Sequence, residues 1–207
     1  MNRLVMGGTE AGLLGQLRFK FPDPPRLPDT RMEMLPYQMV ALWGLARDQC
    51  WKGGRILEIG TGCGGSAYML AKAAPKATIT TLTVSQAGGQ EAVELMIRHH
   101  LGNVQVLLRS SAEFLAEDGW EYDMVYIDGN HNAITEDLEW FNRLRLRGLL
   151  LCHDYSSEQS RRASPVVYRT LNEFAERLGR PLDVEIVDTE HTGMAGFYRR
   201  QGETWTH

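Results

Sequence analysis

Lysine is scarce in this sequence. There are 4 lysines against 18 arginines, and no basic run is longer than two residues. With 26 acidic residues and a net charge of −4, the chain shows no basic stripe for a nucleic-acid backbone and no polybasic patch for a membrane surface. Neither partner is expected. Long apolar runs are also missing; nothing approaches the ~18 residues of a membrane span. Residues 1–17 hold no compact apolar segment with a cleavage site, so they do not read as a secretory leader. Cysteine is limited to Cys50, Cys63 and Cys152, far apart and without a C-x-x-C pair. That excludes a disulfide framework and fits a reduced, cytoplasmic setting. Repeats and low-complexity tracts are absent.

What is present is an ordinary globular composition, 43% apolar and 23% charged over 207 residues, enough for one domain with a sizeable core. The proline-rich stretch Phe21 to Pro28 cannot be helical, and residues 1–30 are read as an irregular arm that covers the site or contacts a second subunit of a homo-oligomer. Residues 31–207 are read as one domain. Leu35, Met39, Leu42 and Trp43 recur at helical spacing. Strands are expected at Arg55 to Ile59, Thr78 to Val84, Val104 to Leu108, Tyr122 to Ile127 and Leu149 to Cys152. Helices are expected between them, one carrying Val93, Met96, Ile97 and His100 on a single face, another Ile134, Leu138, Phe141 and Leu144. Ser164-Pro165 opens a further helix through Val167, Leu171, Phe174 and Leu178. Asp183 to Val187 and Gly196 to Arg199 are the last strands. Strand and helix alternate five times, which predicts an α/β fold: a Rossmann-like, doubly wound, mostly parallel sheet with helices on both faces and an antiparallel C-terminal strand. Ligands of such sheets bind beyond the carboxyl ends of the strands.

The first strand–helix junction reads Leu57-Glu-Ile-Gly-Thr-Gly-Cys-Gly-Gly-Ser66. Gly60, Gly62 and Gly65 satisfy G-x-G-x-x-G. The literal spacing also suits a dinucleotide. Glu58, two residues before Gly60, opposes that reading, because a carboxylate there reaches a ligand's cationic amino group and repels a pyrophosphate. Glu58-x-Gly60-x-Gly62 resembles the first motif of class I methyltransferases, over roughly residues 35–199. The resemblance implies S-adenosylmethionine as cofactor, with Glu58, Gly60, Thr61, Gly62, Gly65 and Ser66 around its methionine part. It places the ribose at Thr83, where relatives usually carry an acidic residue, and the adenine near Ser110 and Ser111. Ser110-x-x-Glu113 reads equally well as a capping box.

Asp128 and His131 end the fourth strand; His153 and Asp154 end the fifth. Taken singly, each is explained as a turn or a loop start. Together, at adjacent strand ends, they are a candidate site: carboxylates that share a hard divalent cation, and a histidine that takes a proton. The order Ile-Asp-Gly-Asn-His131, Asp137-x-x-Trp140, Gly148, His153-Asp-Tyr is similar to the Asp-Gly-x-His branch of the same family. That branch includes O-methyltransferases of macrolide sugars and other natural products, several of them Mg²⁺-dependent. By this resemblance Asp128 sits beside the cofactor and, with Asp154, ligates a metal. His131 is the general base, and the acceptor is a hydroxyl on a small molecule. His153 stands where many relatives have a carboxylate; imidazole is a poorer ligand for Mg²⁺ than for Mn²⁺, Fe²⁺ or Zn²⁺. Asp137 and Trp140 are expected to pack the site from behind, and Cys63 and Cys152 to be small buried residues. Arg161 and Arg162, in the polar segment Ser156 to Ser164, either close over a substrate or lie in a solvated connection. Two rival classes remain at this stage, a nicotinamide-dependent oxidoreductase and a non-catalytic S-adenosylmethionine-binding protein.

Overall fold

The computed structural model describes residues 3–25, 34–156 and 165–205. Among them, eight strands make one sheet: β1 (Leu4–Gly8), β2 (Gly54–Ile59), β3 (Ala77–Thr83), β4 (Val104–Leu108), β5 (Tyr122–Ile127), β6 (Leu144–Tyr155), β7 (Val184–Asp188) and β8 (Gly193–Tyr198). The helices are α1 (Glu10–Lys20), α2 (Pro36–Cys50), α3 (Gly65–Ala73), α4 (Gln86–Arg98), α5 (Ser111–Glu117), α6 (Ile134–Asp137) and α7 (Pro165–Arg177). The strand order is β1-β7-β8-β6-β5-β2-β3-β4. Neighbours are parallel except where β8 runs antiparallel to β6 and β7. This is the expected Rossmann-like, mostly parallel sheet. No helix among the described residues is long and apolar enough to cross a membrane.

The central strands are apolar on both faces, as strands covered on both sides must be. Their side chains alternate between two cores. Met124 and Tyr126 of β5, with Leu149 and Leu151 of β6, face the core under α1–α4. Val125, Ile127, Leu150 and Cys152 face the opposite core, filled by Trp140, Phe141, Phe174 and Phe197. From β2 the chain winds outward through β3 to β4, then returns to lay β5 on the other side of β2. The reversal of strand order therefore falls between β2 and β5, and a crevice opens where their carboxyl ends part.

Three readings need correction. Residues 4–20 are not irregular. Leu4–Gly8 pairs in parallel with β7 as the sheet's edge strand, and α1 buries Leu13 and Leu17 completely. Phe21 then inserts against Gly44 of α2, where an added Cβ would lie 2.1 Å from its ring. In α4 the buried residues are Ala92, Leu95 and Met96, while Val93 and Ile97 are exposed; the helix is rotated from the face its larger apolar residues suggested. The segment after β5 is not one α-helix. It makes a single turn, α6, and then a 3₁₀ stretch, Leu138–Arg143. Ile134, Leu138, Phe141 and Leu144 are nevertheless all buried, because i, i+3 spacing serves a 3₁₀ helix as well. Arg161, Arg162 and Ser164 lie outside the described residues.

Candidate active site

The crevice at the switch point is a cleft of about 420 Å³ lined by Met34, Gly60, Thr61, Gly62, Cys63, Gly65, Ser66, Asp128, His153 and Asp154. Its floor is the glycine loop between β2 and α3. Gly60 has φ +103°, and a Cβ there would sit 2.1 Å from the Asp128 carbonyl oxygen. Only glycine lets the ends of β2 and β5 come this close, with Asp128 N–H donating to the Ile59 carbonyl at 2.8 Å. Gly62 differs. Its φ is +50°, and a Cβ would meet no atom of the described residues within 4 Å. The space over Gly62 is open, as it must be where a ligand lies on backbone.

The wall opposite is made by the ends of β5 and β6. In a regular strand His153 and Asp154 would point to opposite faces. Here β6 carries a bulge: His153 pairs with Met194 and Tyr155 with Gly193, the next residue along β8. Asp154 is the extra residue, in left-handed conformation with φ +58°. Tyr155 accordingly shares the core of Leu150 and Cys152. The bulge turns the Asp154 side chain to the same cleft as His153. Aspartate tolerates this conformation better than most residues, and such strain concentrates at functional sites.

The resulting cluster is compact. His153 Nδ1 lies 3.2 Å from Asp128 Oδ1 and 3.2 Å from Asp154 Oδ2. His131 Nε2 lies 2.6 Å from Asp154 Oδ2. Tyr126, fully buried, donates its hydroxyl to the other Asp128 oxygen at 3.1 Å. Burial works against a charge on His153, but the two carboxylates outweigh it and push the ring's pKa up to about 10. Burial likewise opposes ionisation of Asp154, yet the adjacent His153 ring and a hydrogen bond to the Thr192 side chain hold it well below the usual carboxylate range. Thr192 ties this corner to α2, since its carbonyl accepts from Tyr37 Oη at 2.5 Å and from Gln38 Nε2 at 2.6 Å.

Several residues singled out in the sequence stand elsewhere. Glu58 is fully buried behind the loop, accepting at 2.5 Å from Thr81, which is 2.7 Å from the Thr61 hydroxyl. Burial pushes its carboxyl up to about 8. From there Glu58 supports the loop through Thr81 and Thr61. Thr83 Oγ1 accepts from Ser85 N–H at 3.0 Å, at the start of α4. Ser110 closes a capping box with Glu113. Ser111 accepts from Trp140 Nε1 at 2.8 Å and hydrogen-bonds Asp137, whose carboxyl burial raises to about 6. These contacts fix Asp137 and Trp140 beneath α5. Cys152 is buried, whereas Cys63 is half-buried and lines the cleft. Met34 was not foreseen; it reaches the cleft beside the Tyr126 hydroxyl, and an isolated methionine before a helix carries no local signal.

Comparison with known proteins agrees with this arrangement. Residues 57–155 match the model of the methyltransferase domain family. That span runs from the strand before the glycine loop to the end of the bulged strand. The chain resembles the O-methyltransferase TomG of Streptomyces achromogenes, involved in tomaymycin synthesis and solved with S-adenosylmethionine (21% identity, TM-score 0.61, 89% of this chain and 87% of that one). It also resembles an O-methyltransferase of Bacillus cereus solved with S-adenosylhomocysteine (20% identity, TM-score 0.60, 92% and 90%). A third is the S-adenosylhomocysteine-bound methyltransferase of Podospora anserina (19% identity, TM-score 0.61, 92% and 87%). At these identities the likeness establishes the fold. No curated protein matches the sequence. Residues 57–155 are thus similar to a methyltransferase domain, and the wider likeness to solved methyltransferases is one of fold.

Proposed function

We propose that the chain transfers the methyl group of S-adenosylmethionine to a hydroxyl oxygen of a small molecule, assisted by a divalent cation. One observation carries this reading: the glycine loop and the Asp128–His153–Asp154 cluster line the same cleft, with His131 held against Asp154 at its rim. The open space over Gly62 fits a cofactor lying on the backbone of Gly60, Thr61, Gly62, Gly65 and Ser66. A volume of about 420 Å³ lies within the usual range for small-molecule sites.

S-Adenosylmethionine supplies an electrophilic methyl group when bound, and a divalent cation supplies charge that acidifies a hydroxyl. The chain's own residues do the rest. Asp128 and Asp154, from adjacent strands, would hold the cation with His153. Asp154 orients the His131 ring through Nε2, which leaves Nδ1 to accept the hydroxyl proton. Methyl transfer neutralises a sulfonium and forms an ether, and the proton leaves on His131.

Incubation with S-adenosylmethionine and panels of phenols, catechols, sugars and matched amines or thiols tests this. S-Adenosylhomocysteine should form with a hydroxyl acceptor, stop on chelation with EDTA and resume when metal is restored. Turnover with amines or thiols alone contradicts oxygen as the acceptor atom. Turnover undiminished by EDTA removes the cation.

A further inference from the structure

We infer that the cation of this site is a nitrogen-binding transition metal rather than Mg²⁺, with His153 Nδ1 as one of its ligands. The inference rests on the cation-assisted reading above and goes on to the metal's chemical class.

His153 is only 8% exposed. Its Nδ1 faces one oxygen of each carboxylate at 3.2 Å, yet is in line for a hydrogen bond with neither. A buried polar atom left in this way is costly. One ligand atom from each of Asp128, His153 and Asp154 falls within a set no more than 4.8 Å across. Donors that share an ion at about 2.1 Å stand about 3.0–3.4 Å apart at octahedral or tetrahedral angles, which matches the nitrogen's distance from each carboxylate oxygen. The backbone is also committed to this arrangement. Without the left-handed Asp154 the two side chains would diverge, so the bulge places one nitrogen and two oxygens on a common point.

Donor chemistry then selects the ion. Mg²⁺ demands oxygen ligands and gives up its water reluctantly. Imidazole suits Zn²⁺, Fe²⁺ and Co²⁺, and affinity for a mixed N/O site rises from Mn²⁺ to Co²⁺ and beyond. A site that gives one of its three protein donors to a buried imidazole is matched to those ions.

The test uses the full chain, stripped with chelator and titrated by calorimetry with Mg²⁺, Mn²⁺, Co²⁺ and Zn²⁺, and the Co²⁺ absorption spectrum is recorded. Co²⁺ and Zn²⁺ should bind more than roughly tenfold tighter than Mg²⁺, with a Co²⁺ spectrum showing nitrogen ligation. H153D, with three carboxylates, should narrow that preference and lose the nitrogen signature. Equal or tighter binding of Mg²⁺ by the wild-type chain overturns the inference, and that comparison stands whether or not the variant folds. So does failure of any divalent ion to bind, which would leave the His153 ring itself, protonated, balancing the two carboxylates. An unchanged Co²⁺-to-Mg²⁺ ratio in a folded H153D overturns it as well. S-Adenosylhomocysteine is titrated into the same samples. Its failure to bind would count against the methyltransferase reading while leaving the metal preference as measured.

Discussion

Replacing His131 by alanine should lower the rate of the proposed methyl transfer by roughly 10²–10⁴-fold, the usual loss when a positioned base is removed. The ring sits in a short 3₁₀ turn, His131–Ala133, just past β5. Its side chain is 41% exposed, so its removal leaves the cores intact. Among the described residues its side chain is tethered by Asp154, 2.6 Å from Nε2. A histidine held at one nitrogen by a carboxylate presents the other as a proton acceptor, and the carboxylate stabilises the imidazolium that forms. The loss should therefore appear in kcat, with affinity for S-adenosylhomocysteine unchanged. Initial rates and calorimetry on the same preparation separate the two. An H131A enzyme with full activity would return this histidine to a loop-rim role.

The second large effect is expected at Gly62. Here φ is +50° and the Cβ direction is empty, so the protein tolerates a side chain where a bound cofactor would not. Asparagine is the informative replacement, because it adopts left-handed backbone more readily than other residues with a side chain. Gly62→Asn should leave the melting temperature within a few degrees of wild type. It should weaken S-adenosylhomocysteine binding by about 1–3 kcal/mol, the usual cost of forcing atoms into occupied space, or roughly 5- to 150-fold. Unchanged affinity would show that the cofactor does not lie over this loop. Gly60 offers no such test, since a Cβ there collides with the Asp128 carbonyl whether or not anything is bound.

The parts of this fold that were legible in the sequence are those governed by local rules. Five apolar runs separated by helical periodicities dictated a parallel sheet, and glycines clustered at a strand end marked the loop. Asp128, His153 and Asp154 could be brought together because adjacent strand ends are adjacent in space. What stayed hidden depended on tertiary choices. The Asp154 bulge places a non-glycine residue in left-handed conformation, with no glycine to announce it. The direction of Glu58 is set by its pairing beside Thr81 of β3, and a strand's apolar pattern does not say which way its one acid turns. The hydroxyl of Thr83, at the position the resemblance assigns to the ribose, accepts from Ser85 N–H, a contact set by the start of α4 and not by the strand's own pattern. The N-terminal strand and helix escaped notice because Gly7, Gly8, Gly12 and Gly15 weaken their propensities. Their stability comes from pairing with β7 and packing on α2, both distant in sequence.

A cleft built for S-adenosylmethionine should discriminate between that cofactor and a dinucleotide. Calorimetry of the wild-type chain with S-adenosylhomocysteine and, separately, with NAD tests it most directly, because both ligands suit a glycine loop at the switch point of such a sheet. The account predicts saturable one-to-one binding of S-adenosylhomocysteine and no detectable heat with NAD. Saturable NAD binding with no response to S-adenosylhomocysteine would contradict it.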